Sequence, residues 1–289
     1  MDPEPGDSSL DVTADDVAAG VRSVGVGPGD VVMFHSSLIS MGHVCGGPNT
    51  VIEGFLQAVG PGGTVAVPTL WWNGSQDLAE WDCDTSPSYP GLITETFRQR
   101  PDSIRSDNPT HSVSAIGARA AELTADHGKW GLRPCLFGDA AFAEASPWER
   151  FYQWDTAYCF LGVDFTYNTE AHYCQCLLVE WALGQAPPDR RADLEARVSR
   201  WDAIVEYYRQ SRAGLSPEAD FMWPTFGFKL MGELLADLGL VRFGKIGSAT
   251  IRAIRSRDMV DTMLSTLKAE PEQWFPERFM AWWHEAVGE

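Results

Sequence analysis

Apolar residues recur at helical spacing (Val17, Ala18, Val21) through 13–24, which predicts a short amphipathic helix with Thr13 or Asp15 as its cap. After the turn cluster GVGPGD, the unbroken run Val31-Val32-Met33-Phe34 has the pattern of a buried strand. Residues 35–50 are loop-like, and VIEGFLQAV (51–59) is a helix that stops at Gly60-Pro61-Gly62-Gly63. TVAVPTL, from Thr64, is a second strand. Strand, loop, helix, strand makes an α/β unit whose sheet is at least partly parallel. Further on, GLITETFRQR, ARAAELTADH and the segment opening at Ser146-Pro147 predict helices, while HSVSAIG and AYCFLGV predict strands. The stretch 168–184 is a helix capped by Asn168 or Thr169. Beyond residue 190 the pattern turns helical or mixed, with one strand and a final helix expected between 243 and 270. Residues 1–12 are polar and rich in Pro and Gly, the composition of a flexible tail, so a single domain over 13–289 is expected.

Composition narrows the partners. The chain carries a net charge of −18, with 22 basic and 40 acidic residues. No basic run is present to release phosphate counterions, so nucleic acid is not an expected partner. A negative surface draws in cationic small molecules, or it serves solubility alone. Six cysteines occur without a C-x-x-C pair, and no metal is expected. No apolar run reaches the roughly 18 residues of a membrane span, and no secretory leader is visible. A cytoplasmic location with reduced thiols, away from membranes, follows as the expectation.

Four segments carry candidate chemistry. They are His35-Ser36-Ser37-Leu38 with Gly42 and Gly46-Gly47; Gly62-Gly63-Thr64 to Pro68-Thr69; Arg105 to Val113; and Leu161-Gly162-Val163-Asp164 followed by Asn168-Thr169 and His172. Each is weak alone. In this order and spacing they resemble the aminoglycoside 3-N-acetyltransferase family over roughly residues 15–270, a family distinct in fold from the commoner GNAT acetyltransferases. The resemblance implies an α/β fold with a mixed central sheet flanked by helices. It also implies acetyl-CoA as co-substrate and acetylation of an amine of an aminoglycoside or related amino-sugar. The match equally accommodates a biosynthetic acyltransferase using another acyl-CoA or a carrier-protein-bound donor, or a catalytically impaired CoA-binding homologue. It leaves a homodimer open.

Acetyl transfer from a thioester to an amine needs a held pantetheine arm, a base for the attacking amine and donors for the oxyanion. The resemblance implies that Ser36, Ser37, Leu38, Thr110, His111, Ser112 and Val113 line the CoA site. On the residues alone, Ser36-Ser37 equally well ends a strand and Ser112 equally well packs inside. The resemblance, through the family's N-T-x-x-H-x-x-E pattern, implies that His172 is the general base, and a helix start, which disfavours imidazolium, helps keep its ring neutral. On the residues alone a structural histidine is the commoner reading. Asp164 either orients that imidazole or forms a turn. The family carries Glu three residues after the histidine, where this chain has Gln175, a neighbour on the same helix face. Asn108 and Glu170 are further departures from the family's histidine and small residue. Replacing Gln175 by Glu is expected to raise or preserve activity on ordinary aminoglycosides.

A covalent role for Cys174 or Cys176 is not favoured, since buried cysteines behave as small hydrophobes. His35 is a helper histidine or a hydrogen-bonded structural one. Trp71 and Asp77, in an acidic aromatic loop, are expected with Asn168 and Glu170 to contact the acceptor. The competing reading is a solvated acidic loop whose tryptophans pack in the core.

Overall fold

The computed structural model describes residue 3, residues 5–215 and residues 221–288. The first half of the chain runs through β1 (Asp11–Val12), α1 (Ala14–Ser23), β2 (Val31–Ser36), β3 (His43–Val44), α2 (Pro48–Val59) and β4 (Thr64–Pro68). Next come α3 (Leu92–Arg98), β5 (Ile104–Arg105), β6 (Val113–Gly117), α4 (Ala120–Thr124), α5 (Pro147–Gln153), β7 (Ala157–Leu161) and α6 (Glu170–Gln185). The chain continues with α7 (Arg191–Arg197), α8 (Trp201–Arg212), α9 (Phe228–Asp237), β8 (Arg242–Ile246) and β9 (Ala249–Arg255). It ends in α10 (Ser256–Ala269), α11 (Pro271–Trp274) and α12 (Glu277–Val287).

The central sheet has seven strands in the order β5-β6-β4-β2-β7-β9-β8. β4, β2 and β7 are parallel, and the flanking pairs are antiparallel, so the sheet is mixed. Strand periodicity sends Val32, Phe34, Val65, Val67, Cys159 and Leu161 into the core beneath α1 and α2. Met33, Ala66, Tyr158 and Phe160 face a larger core built with α5, α6 and α10. Both faces are covered, which is why these strands read as continuous apolar runs.

Caps follow the sequence where it supplies them. Thr13 and Asp16 form a reciprocal capping box at α1. Ser146 accepts from Glu149 N and Pro147 fills the first helical position of α5.

Two stretches differ from expectation. The N-terminal dozen, expected as a loose tail, is tied down in its described part: β1 pairs with β3, and Gly6 N donates to the Ile39 carbonyl at 2.7 Å. Ladder pairing needs only two residues here, too few for a periodic pattern. Between 242 and 255 a hairpin replaces the single expected strand, and α12 adds a helix beyond residue 270. Its amphipathic face buries Phe279, Met280, Trp282 and Trp283.

Candidate active site

The carboxyl ends of β2, β4 and β7 open on one side of the sheet, the side where open α/β sheets take ligands. A cavity of about 330 Å³ lies there, lined by His35, Pro68, Thr110, His111, Asn168, His172 and a set of aromatic rings. A second, more open cleft of about 610 Å³ is lined by Ser40, Gly162, Asp164, Lys229, Thr250 and Arg252. The two meet at Thr166 and Tyr167, which line both. In the wall of the larger cleft Gly162 lies close against Ser40: its φ is +68°, and a Cβ there would stand 2.7 Å from Ser40 Cβ.

His172 stands on the first turn of α6. Asn168 Oδ1 accepts from Glu170 N at 3.1 Å and so satisfies one free amide of that helix start. One turn on, Gln175 Oε1 lies 2.9 Å from His172 Nδ1. Gln175 Nε2 donates to the Pro224 carbonyl at 2.9 Å, and Trp223 Nε1 donates to Gln175 Oε1 at 3.1 Å. An indole N–H only donates and a carbonyl only accepts, so these two partners fix which way the amide points. Nδ1 of His172 therefore faces an oxygen and must carry the proton. Nε2 keeps its lone pair.

The surroundings keep that ring neutral. The Phe137 and Phe228 ring centroids lie 4.7 and 5.0 Å from it, and His111 lies 6.0 Å away. Burial drives the His172 pKa down, the Gln175 contact pulls it up, and the balance falls to about 4.

Asp164 does not orient this imidazole. It caps the turn 165–167 by accepting from Thr166 N at 2.9 Å, and Lys229 and Arg252 are its charged neighbours. Burial raises its pKa, but the Thr166 hydrogen bonds and those cations outweigh burial and leave it lowered. The orienting partner of His172 is Gln175.

In the second segment the turn is organised by Asn108. Its Oδ1 accepts from Thr110 N, Thr110 Oγ1 and His111 N at 3.1, 3.0 and 2.8 Å. This places Thr110 and His111 in the cavity wall. His111 is buried with Nδ1 unpaired, and burial, followed by the charges of His172 and His127, holds its pKa well below the ordinary value.

Ser112 and Val113 are carried behind the wall. Ser112 Oγ donates to the Thr69 carbonyl at 2.8 Å, and Val113 begins β6 with its side chain in the core. Ser37 is buried and its Oγ accepts from Ser40 Oγ at 2.8 Å, while Ser36 ends β2. Leu38 packs against the α1–α2 core. Of that segment's neighbourhood it is Ser40 that reaches the larger cleft.

The acidic loop is divided. Trp71 is buried against Trp81, whereas Trp72 reaches the cavity and packs on Trp201 and Tyr208 at 4.4 and 5.3 Å. Asp77 caps its own short turn through Ala79 N and lines a neighbouring surface cleft with Arg209 and Arg212.

Glu170 is fully buried. Its Oε1 accepts from Ser256 Oγ at 2.5 Å and its Oε2 has no partner. Burial raises its pKa to about 8 against the opposing Ser256 hydrogen bond, so it is a neutral acid at pH 7. It stands beneath the cavity wall. His35 pairs through Nε2 with Tyr158 Oη at 2.9 Å and is held neutral by burial, at about 3. Cys174 and Cys176 are buried among the core side chains.

Sequence reasoning missed Phe137, Tyr208 and Phe228 in the wall, the Trp223-Pro224 clamp, and Lys229 and Arg252. The two cations carried the one usable clue: they are basic residues in a strongly acidic chain.

A sequence model of the family described as aminoglycoside 3-N-acetyltransferase matches residues 33–268. Aminoglycoside N(3)-acetyltransferase VII of Streptomyces paromomycinus is 30% identical over 278 residues, covering 86% of this chain and 89% of the relative. A mutant of aminoglycoside acetyltransferase AAC(3)-IVa in complex with apramycin superposes with a TM-score of 0.62 at 25% identity, covering 91% of this chain and 94% of that one. The fold is also that of AAC-IIIb, solved as a binary complex with CoASH, with a TM-score of 0.62 at 20% identity, covering 90% and 98%. No helix among the described residues is long and apolar enough to cross a membrane.

Proposed function

Because the chain belongs to the aminoglycoside 3-N-acetyltransferase family, a family of acyltransferases, we propose that it acetylates an amine of an aminoglycoside or related amino compound, with acetyl-CoA as donor and His172 as general base. One observation carries this reading: Gln175, fixed by Trp223 and Pro224, leaves the Nε2 lone pair of a half-buried neutral histidine at the cavity wall.

The residues divide the work. His172 Nε2 takes the proton of the attacking amine as the C–N bond forms. It then returns that proton to the departing sulfur as the C–S bond breaks, so the products are amide and free thiol. Phe137 and Phe228 exclude water from this exchange. His111 stands in the wall with its buried Nδ1 unpaired, and a turn of the ring that brings this atom into the cavity gives the thioester oxygen a hydrogen-bond donor. Lys229 and Arg252, in the adjoining cleft, supply positive charge for the phosphates of the donor.

A second observation bears on the acceptor. The described lining of the smaller cavity holds Trp72, Tyr89, Phe137, Tyr167, Tyr208 and Phe228 but no Asp or Glu. Such a wall favours an acceptor that stacks over one that ion-pairs at several points. A natural-product amine of lower charge therefore stands beside the polycationic aminoglycosides as the second reading.

Free-thiol release from acetyl-CoA tests both, against 2-deoxystreptamine drugs and a series of aromatic and alicyclic amines. Turnover of the drugs supports the first reading, and turnover of the simpler amines alone supports the second. No thiol release with any amine contradicts the proposed activity.

A further inference from the structure

We propose that Asp11, His43 and Cys45 form a binding site for a borderline divalent metal ion, Zn²⁺ above all, on the surface of the β1–β3 ribbon. The ribbon is parallel, with Asp11 opposite His43 and Val12 opposite Val44. Side chains alternate along a strand, so Val12 and Val44 point inward, 0% and 8% exposed. Asp11, His43 and Cys45 then share the outer face. His43 Nδ1 lies 2.7 Å from Asp11 Oδ1 and 4.0 Å from Cys45 Sγ, and the three donor atoms all fall within 4.8 Å of one another.

Tetrahedral zinc, with bonds of about 2.0–2.3 Å, sets its ligand atoms roughly 3.3–3.6 Å apart. The exposed side chains of Asp11 and His43 reach that spacing by small rotations. The backbone beneath them is fixed: His43 N donates to Leu10 O and Cys45 N to Val12 O, both at 2.9 Å. One oxygen, one imidazole nitrogen and one thiol match a borderline ion, not Mg²⁺ or Ca²⁺, which take oxygen ligands.

Binding is a proton exchange with no redox step. The Cys45 thiol releases its proton to solvent. His43, whose Nδ1–H faces the Asp11 carboxylate in the metal-free protein, gives up that proton and takes or keeps one on Nε2, which frees the Nδ1 lone pair for the metal. The fourth position is left to water.

The site's place in the fold gives it a role. The ribbon joins the N-terminal segment to the chain that follows the Ser37–Ser40 turn. Gly6 N bonds to Ile39 O, and Asp7 N bonds to Ser248 Oγ at 2.8 Å. Pro3, Pro5, Gly6, Ser40 and Ser248 all line the larger cleft. A metal at the ribbon staples that wall. It is structural, and no catalytic step depends on it.

Chelator-treated full-length protein is titrated with Zn²⁺ by calorimetry and with Co²⁺ by absorption. The expected results are one equivalent bound, tetrahedral Co²⁺ bands with a thiolate-to-metal transition, and no competition from millimolar Mg²⁺. Cys45→Ser and His43→Ala weaken Zn²⁺ binding by roughly 10–100-fold or more, whereas Cys83→Ser leaves it unchanged. The Cys45→Ser and His43→Ala variants unfold at the parent temperature without metal, because their side chains lie on the outer face. No binding at all, binding that the Cys45→Ser/His43→Ala double variant retains, or Co²⁺ spectra without a thiolate transition would overturn the site.

Discussion

His172, on the first turn of α6, and His35, near the carboxyl end of β2, both line the 330 Å³ cavity, and burial holds both neutral, with pKa values of about 4 and about 3. Their partners differ. Tyr158 Oη engages Nε2 of His35, and a phenol both donates and accepts, so this contact leaves the tautomer open. Gln175 engages Nδ1 of His172, and its amide is pinned by a pure donor and a pure acceptor. Burial alone makes a neutral histidine; a neighbour of fixed polarity makes a directed base. That distinction generates a graded set of outcomes.

The largest effect belongs to His172→Ala. Loss of the base lowers kcat by about 10²–10⁴-fold, while a thermal shift with CoA persists. His35→Asn, at the other end of the comparison, lowers kcat by less than about tenfold. Equal losses in the two variants would erase the distinction.

Next is Gln175→Glu. A carboxylate beside the imidazole raises the His172 pKa above about 4, so the acid limb of kcat/KM moves to higher pH. The Pro224 carbonyl changes the outlook that sequence alone offers for this substitution. It accepts from Gln175 Nε2 at 2.9 Å and would meet an oxygen instead. The variant is therefore expected to lose about 1–3 kcal/mol of stability, read from denaturant unfolding. An unchanged profile and midpoint would show that the amide is not held as described.

Glu170→Gln comes third and is a stability effect. The folded pKa of Glu170, about 8, lies above its unfolded value, so the folded state binds the extra proton between the two. Stability is thus full below the unfolded pKa and falls as pH rises toward 8, by up to about 1.4 kcal/mol per pH unit. Glu170→Gln removes that fall and raises Tm at pH 8 relative to the parent. An identical pH slope in parent and variant would contradict a neutral buried acid. Smallest is Asp77→Asn, which leaves kcat/KM unchanged in the acceptor assay because Asp77 caps its own turn away from the cavity.

The legible parts of this molecule were the local ones. β2, β4 and β7 stand out as apolar runs because both sheet faces are covered. Thr13 and Ser146 could be read as caps because a cap acts within three residues. His172 and its i+3 neighbour Gln175 were legible because helix spacing is fixed. What decides the tautomer was not, since Trp223 and Pro224 lie 48 and 49 residues beyond Gln175. The same distance effect hid Ser256 from Glu170, 86 residues apart. Trp71 and Trp72 are adjacent, chemically identical and both buried, and only tertiary packing makes Trp72 rather than Trp71 part of the cavity wall.

The central claim is the protonation state of one ring. Long-range ¹H–¹⁵N spectra of imidazole-labelled protein, with the signal assigned by its loss in His172→Ala, read that state directly. The structure predicts a neutral ring protonated at Nδ1 at pH 7, titrating near 4. An Nε2-protonated ring, or a titration near the ordinary histidine value of about 6.5, would contradict it.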